Sequence, residues 1–326
     1  MPERIPLSPA RFPHPPLPAH ALLDAGEGEK LERFGELVLV RPDPQALGRR
    51  RLPAADWQQA DLVFVRESDR GGRWEGPGAA RRGARRGLPG WEVEVGGTRL
   101  FLRATPFKHV GLFPEQAANW LWIEERRAAL GADEPRLLDL FGYTGVASVL
   151  AARAGWRVTL VDASKTAVAW ARENAALAGV EPARLRFLVD DALAFARREA
   201  RRGARYEGIL LDPPHYGRGP KGEKWQFETG IVPLLEASSA LLAERAFLIL
   251  STYAMGTSPL ALANLLGSLG DGTVEAGELA LPVAGGGPPR YLPCGFCARW
   301  WREGGLTRSS SGGACSRGRP APGGAP

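Results

Sequence analysis

Four short stretches of the sequence place carboxylates where a chain can build a ligand site. Asp139-Leu140-Phe141-Gly142-Tyr143-Thr144-Gly145 ends an apolar run and opens a helical one, and glycines at such a turn let the backbone bend sharply and approach a ligand closely. The spacing is not the Gly-x-Gly-x-x-Gly of pyrophosphate binders, because Gly145 is followed by Val146, Ala147 and Ser148. Asp139, ahead of the glycines, would repel a pyrophosphate but can pair with an ammonium group, so the turn suits an amino acid conjugate. Asp162 ends the next apolar run, where a carboxylate can accept both hydroxyls of a ribose. Asp190-Asp191-Ala192 ends the third, and Asp191 there can meet an adenine amino group. Each alone is more often a helix N-cap than a ligand, but three acidic residues at three successive strand ends change the odds.

The fourth stretch is Asp212-Pro213-Pro214-His215-Tyr216. Two prolines fix the backbone at a strand exit, so the carbonyls and the Asp212 side chain are held toward whatever lies beyond the sheet. Tyr216 is an aromatic that can stack on a planar base. Catalytic roles are therefore expected for Asp212, Pro213 and Tyr216.

The elements that must position these residues follow a clear rhythm from about residue 110. Strands are expected at Arg136 to Leu140, Arg157 to Val161, Leu185 to Val189, Gly208 to Leu211 and Ala246 to Leu250, separated by helix-length segments. Repeating strand and helix at this spacing gives a parallel sheet with right-handed crossovers. Val274 to Leu281 and Tyr291 to Trp300 follow, joined by a loop too short for a helical crossover, so they should pair antiparallel. Residues 30 to about 105 hold short β-like runs at Glu36 to Val40, Asp61 to Val65, Trp91 to Val95 and Thr98 to Leu102, the last two joined through Gly96-Gly97 as a hairpin.

Taken together, Asp139-Leu-Phe-Gly-Tyr-Thr-Gly, Val161-Asp162-Ala-Ser-Lys-Thr-Ala, Asp190-Asp191-Ala and Asp212-Pro-Pro-His-Tyr, with a terminal hairpin, resemble a class I S-adenosylmethionine-dependent methyltransferase. More narrowly, the sequence resembles the bacterial large-subunit ribosomal RNA methyltransferases that include the cytosine carbon-5 and guanine enzymes. In that family Gly111-Leu112-Phe113-Pro114-Glu115-Gln116-Ala117-Ala118-Asn119 has a counterpart, usually with arginines where this chain has Ala117 and Trp120. The resemblance covers roughly residues 107 to 255 and is specific for cofactor and fold, much less so for substrate.

The resemblance implies an α/β, Rossmann-like class I methyltransferase sheet with a terminal antiparallel hairpin, preceded by a small β-rich domain. It implies S-adenosyl-L-methionine held by Asp139, Phe141, Gly142, Gly145, Asp162 and Asp191, and methylation of a base in RNA, most naturally ribosomal. The expected division is a Pro-rich extended segment over 1–22, a β-rich domain with a possible substrate role over 23–106, the methyltransferase domain over 107–303 and a disordered tail over 304–326. Methyl transfer to a protein or small molecule is the alternative, as is an inactive RNA-binding protein on the same fold; the glycine spacing and terminal hairpin disfavour an NAD-dependent oxidoreductase.

One departure bears on chemistry. Methylation at cytosine carbon 5 is expected to need a cysteine nucleophile, and the fifth strand is followed by Ser251-Thr252-Tyr253 with no cysteine near it or near Pro213. Cys294 and Cys297 lie in the terminal strand, three apart and on opposite faces. No metal site is expected, because a zinc ion would need two further ligands. A nitrogen acceptor is therefore expected, with His215 able either to donate to a substrate or to orient its loop. A glycine-rich basic loop with Lys221 and Lys224 could close over a phosphate or be merely solvated.

The formal charge of +6 favours a polyanionic partner only weakly, since 37 arginines against 5 lysines look like codon bias. Arg81-Arg82 and Arg85-Arg86, flanked by glycines and by Trp74 and Trp91, suit an RNA backbone. Apolar runs are strand-sized, well short of the roughly 18 residues a membrane helix needs. Prolines interrupt the first twenty residues and cysteines number three, so a soluble, reducing, cytoplasmic setting is expected.

Overall fold

The computed structural model describes residues 10–68, 71–77, 90–254, 256–285 and 288–303. Its strands are β1 (Ala10–Arg11), β2 (His20–Gly26), β3 (Glu29–Phe34), β4 (Leu37–Pro42), β5 (Leu62–Ser68), β6 (Gly71–Glu75), β7 (Gly90–Val95), β8 (Thr98–Arg103), β9 (Arg136–Leu140), β10 (Arg157–Asp162), β11 (Leu185–Val189), β12 (Tyr206–Leu211), β13 (Tyr216–Arg218), β14 (Lys224–Gln226), β15 (Leu242–Thr252), β16 (Thr273–Pro282) and β17 (Tyr291–Arg302). The central sheet has the order β1-β16-β17-β15-β12-β9-β10-β11. Strands β9, β10, β11, β12 and β15 pair in parallel, and β17 runs antiparallel to both β15 and β16. This is the expected class I methyltransferase sheet with its terminal hairpin.

Burial on both faces explains why the parallel strands read as continuous apolar runs: Leu137, Leu138 and Leu140 in β9, and Leu160 and Val161 in β10, are all fully buried. Strand order reverses about β9, which has β10 on one side and β12 on the other. The carboxyl ends of β9 and β12 therefore part there, leaving the crevice in which open α/β sheets bind ligands.

The amino-terminal region differs in part from expectation. Residues 10–22 are not a separate extended arm, because Ala10–Arg11 joins the central sheet beside Gly277 and Glu278, Phe12 is buried, and β2 begins at His20. Strands β2 to β6 form a five-stranded sheet in sequential order, with β4 and β5 parallel across helix Ala54–Gln58. The β7–β8 hairpin turns at Gly96 and Gly97 (φ 55° and 71°), as their sequence requires. It lies against helix Lys165–Leu177, where Trp170 Nε1 donates to Phe101 O (2.7 Å) and Phe101 N to Asn174 Oδ1 (2.8 Å). One contiguous core joins Phe34, Leu62 and Leu100 to Val149, Trp156 and Phe247, so the β-rich region and the large sheet share an interior. Arg81, Arg82, Arg85, Arg86 and the tail from residue 304 lie outside the described residues.

Candidate active site

A cavity of about 840 Å³ opens over the carboxyl ends of β10, β11, β12 and β15. The turn after β9 forms one wall. Phe141 (φ 63°), Tyr143 (φ 47°) and Gly145 (φ 76°) all adopt left-handed backbone, which is strained for the two aromatics and turns successive peptide groups sharply. Phe141 and Tyr143 line the cavity, whereas the glycines serve packing: a Cβ at Gly142 would sit 2.6 Å from Leu160 Cγ, and one at Gly145 would sit 2.8 Å from Ala171 Cβ. Gly142 lines only a side pocket of about 80 Å³. Gly145 lines neither space, and its lack of a side chain, like that of Gly142, lets neighbouring elements pack closely against the turn.

Asp139 is buried beneath this turn and lines the side pocket. Ser148 Oγ donates to its Oδ2 at 2.6 Å, yet burial lifts its pKa to about 7. Asp162, in the cavity wall, accepts from Tyr143 N (2.9 Å) and Ser164 N (2.8 Å), and burial outweighs both bonds to raise its pKa. Asp190 and Asp191 also line the cavity. Asp190 is paired with Arg198 at 2.6 Å, and Asp191 caps helix Ala192–Arg201 by accepting from Ala194 N at 2.8 Å. Capping and cavity lining thus coexist in Asp191.

Asp212 sits at the junction of the cavity and the side pocket. Its Oδ1 is buried without a hydrogen-bond partner among the described residues, and its Oδ2 meets Gln116 Nε2 at 3.4 Å. Burial, reinforced by Glu115 and Asp139, raises its pKa to about 7. Pro213 lines the cavity, and Trp225 Nε1 fixes the next carbonyl by donating to Pro214 O at 2.6 Å. His215 pairs with Glu228 at 2.7 Å, which anchors its loop. Tyr216 is not brought into the cavity: it is 60% exposed on β13, where antiparallel pairing with β14 holds it outside. The stretch read as a basic loop is this hairpin.

The segment from Phe113 to Asn119, quoted in the sequence but given no role there, contributes much of the site. Glu115 is buried, its pKa raised by burial, and accepts from Tyr253 OH at 3.0 Å. Gln116 Nε2 also reaches Tyr253 OH (3.3 Å), Asn119 Nδ2 donates to Gln116 Oε1 (2.7 Å), and Arg299 Nε donates to Asn119 Oδ1 (3.0 Å). A buried polar chain therefore runs from β17 to Asp212. The local signal was polar Glu115, Gln116 and Asn119 at a helix start, spaced so that the last two share a helical face. Cys294 lines the cavity, whereas Cys297 is buried with Sγ 3.5 Å from Asn119 Oδ1. Among the described residues no group of three or more His, Cys, Asp or Glu could hold a metal, and no helix is long and apolar enough to cross a membrane.

Comparison with known proteins agrees with this geometry. Residues 116–265 match the family described as Conserved hypothetical protein 95. Two curated relatives carry the name Ribosomal RNA large subunit methyltransferase K/L. The one from Pseudomonas paraeruginosa is 36% identical over 154 residues (47% of this chain, 20% of that protein), and the one from Chromohalobacter salexigens is 33% identical over 163 residues (49% and 21%). The chain thus spans about a fifth of the length of the curated relatives it matches. The crystal structure of the SAM-dependent methyltransferase from Agrobacterium tumefaciens is 40% identical, covers 88% of this chain and 91% of its own, and superposes with a TM-score of 0.80. With that identity over nearly the whole of both chains, and acidic residues at or next to the carboxyl ends of β9 to β12 in a class I sheet, the chain belongs to the S-adenosylmethionine-dependent methyltransferases.

Proposed function

We propose that this methyltransferase modifies a base in RNA, with ribosomal RNA as the substrate class, at a nitrogen held over Asp212. The substrate reading rests on the curated relatives' names, and the assignment of roles rests on the cavity.

The residues present fit the cofactor. Asp139, Asp212 and Glu115 are buried carboxylates, the first and last close enough to raise the pKa of Asp212, and Asp212 Oδ1 lacks a partner among the described residues, an arrangement that a cationic ligand relieves. In this reading Asp162 receives the ribose hydroxyls, Asp191 the adenine amino group and Asp139 the ammonium end, with Phe141 in the wall and Gly142 and Gly145 shaping the turn. Bound S-adenosylmethionine supplies an electrophilic methyl on a positively charged sulfur.

The protein's own contribution is alignment and proton management. Asp212 Oδ1 and the Pro213 carbonyl accept from the acceptor's N–H groups and fix its lone pair in line. Once the nitrogen gains a methyl group it is more acidic, and Asp212, with a pKa of about 7, is matched to take its proton. Tyr253 and Phe296, both in the cavity wall, replace Tyr216 as the aromatics available to a planar base. The carrying observation is Asp212 itself, a cavity-lining carboxylate whose Oδ1 is buried without a hydrogen-bond partner among the described residues. The test is incubation with labelled S-adenosylmethionine and total RNA, protein and metabolite fractions from cells lacking the protein; label entering protein or metabolites but not RNA overturns the substrate reading.

A further inference from the structure

The cavity has two electrical characters. Acidic side chains gather at the strand ends of the large sheet, but the cavity is also lined by Lys30 and Arg41 from β3 and β4 of the amino-terminal sheet and by Lys108 from the segment after β8, with Asp43 among them. Two of the chain's five lysines therefore face one cavity. Arg41 forks onto buried Glu32 through Nε (2.9 Å) and Nη2 (2.7 Å) and donates from Nη1 to Lys108 O (3.2 Å). Lys30 is held by Asp43 at 3.2 Å and by Glu32 at 3.6 Å. Lys108 differs: Nζ donates to Pro42 O at 3.0 Å, and among the described residues it joins no ion pair. Its backbone is left-handed, with φ 67°, a strained conformation for a lysine.

Next to it, His109 reports the local field. Burial lowers its pKa to about 4, and every charged group that shifts it further, Arg41, Lys108 and Lys30, is a cation. Such a cluster of cations, in which Lys108 feels Asp43 but joins no ion pair among the described residues and is braced by strained backbone, is arranged for an anion.

We infer that Lys108, backed by Lys30 and Arg41, forms a phosphate subsite that grips the phosphate of the nucleotide whose base enters the cavity. The inference deepens the RNA reading above and rests on it for the source of that phosphate. The amino-terminal sheet, through Lys30 and Arg41, and the segment after β8, through Lys108, on this view supply a wall of the active site together.

The test uses the full chain saturated with S-adenosylhomocysteine. A nucleoside 5′-monophosphate and its nucleoside are titrated into wild type, Lys108→Met and Lys108→Arg, each checked for folding by circular dichroism. The monophosphate is expected to bind wild type about tenfold more tightly than the nucleoside, the order for a hydrogen bond to a charged group. Lys108→Met removes that advantage and Lys108→Arg keeps most of it, with S-adenosylmethionine affinity unchanged in both. No phosphate advantage in wild type overturns the subsite. So does a loss confined to S-adenosylmethionine affinity in Lys108→Met, which assigns the cluster to the cofactor's carboxylate. A single-stranded RNA 20-mer separates the two readings. If wild type binds the monophosphate with its advantage but not the RNA, the subsite stands and the RNA reading falls. If the RNA binds with a salt slope unaltered by Lys108→Met, where a loss of about 0.7 is expected per phosphate contact, the subsite falls and the RNA reading stands.

Discussion

Tyr143 donates its backbone N–H to Asp162 Oδ2 at 2.9 Å, which ties the turn after β9 to the end of β10. One carboxylate thus holds the left-handed turn and lines the cavity, where the proposed reading puts the ribose. Asp162→Ala is expected to weaken S-adenosylmethionine binding by roughly 1 to 3 kcal/mol, the range for hydrogen bonds to a charged group. Isothermal calorimetry checks this, and NAD binding more tightly than S-adenosylmethionine would sink the cofactor roles assigned to these carboxylates.

Asp139 and Asp212 share a pKa of about 7, against about 4 for an unperturbed carboxyl. Without ligand, each is protonated in the folded state where the unfolded chain has already lost the proton. Stability therefore falls as pH rises from about 4 through 7. A cationic ligand favours the ionised forms, so cofactor affinity should rise over pH 6 to 8 with proton release on binding. Calorimetry in buffers of different ionisation enthalpy measures that release; Asp212→Asn should reduce it, and an unchanged value would mean that Asp212 is already ionised.

Gly145 meets helix Lys165–Leu177 through Ala171, at a left-handed φ of 76°. Gly145→Ala is expected to destabilise the fold by roughly 1 to 3 kcal/mol from backbone strain and contact together. Adding Ala171→Gly should recover the contact part and leave the strain, a coupling that a thermal double-mutant cycle resolves. Additive effects would show that packing against Ala171 is not what excludes a side chain at 145.

The large sheet was legible because β9, β10 and β12 are mostly buried and apolar, and the edge strand β11, though Arg186 and Val189 are exposed, still has four apolar residues of five. Strands β2 and β3 were not, because their interior positions carry charge. Asp24 is fully buried between Arg290 and the Arg51 and Leu52 amides, and Glu32 among His20, Lys30 and Arg41. Buried charge erases the alternation that marks a strand. At the site, Asp139, Asp162, Asp191 and Asp212 were readable from strand ends, but the wall of Lys30 and Lys108 is assembled across 78 positions of sequence, which no local pattern encodes. Tyr216 misled for a related reason: its spacing from Pro213 was visible, whereas the β13–β14 hairpin that turns it outward was not. Tyr216→Ala should accordingly retain turnover within a few fold, while Asp212→Ala should abolish it and leave cofactor binding within a few fold.

Cys294 carries the sharpest test of the acceptor atom. Carbon 5 of a pyrimidine lacks an available lone pair and must be activated by a thiolate adding to the neighbouring ring carbon. Cys294 is close enough to matter, since it lines the same cavity as Asp212. Its state argues against that role: Sγ donates to Leu292 O at 3.3 Å, and burial, with Glu115 adding to it, pushes the thiol well above its usual pKa. A thiol held neutral is a weak nucleophile. Cys297 is buried with Asn119, and its pKa is likewise raised by burial. Cys315 lies outside the described residues. Replacing Cys294, Cys297 and Cys315 together by Ser is expected to leave methyl transfer within a few fold, because a nitrogen acceptor needs only orientation by Asp212 and the Pro213 carbonyl. The measurement is turnover of the folded triple mutant on the substrate that labels in the wild type. Loss of activity, or a covalent adduct trapped on a 5-fluorinated pyrimidine RNA, would move the acceptor from nitrogen to cytosine carbon 5 and make Cys294 the nucleophile.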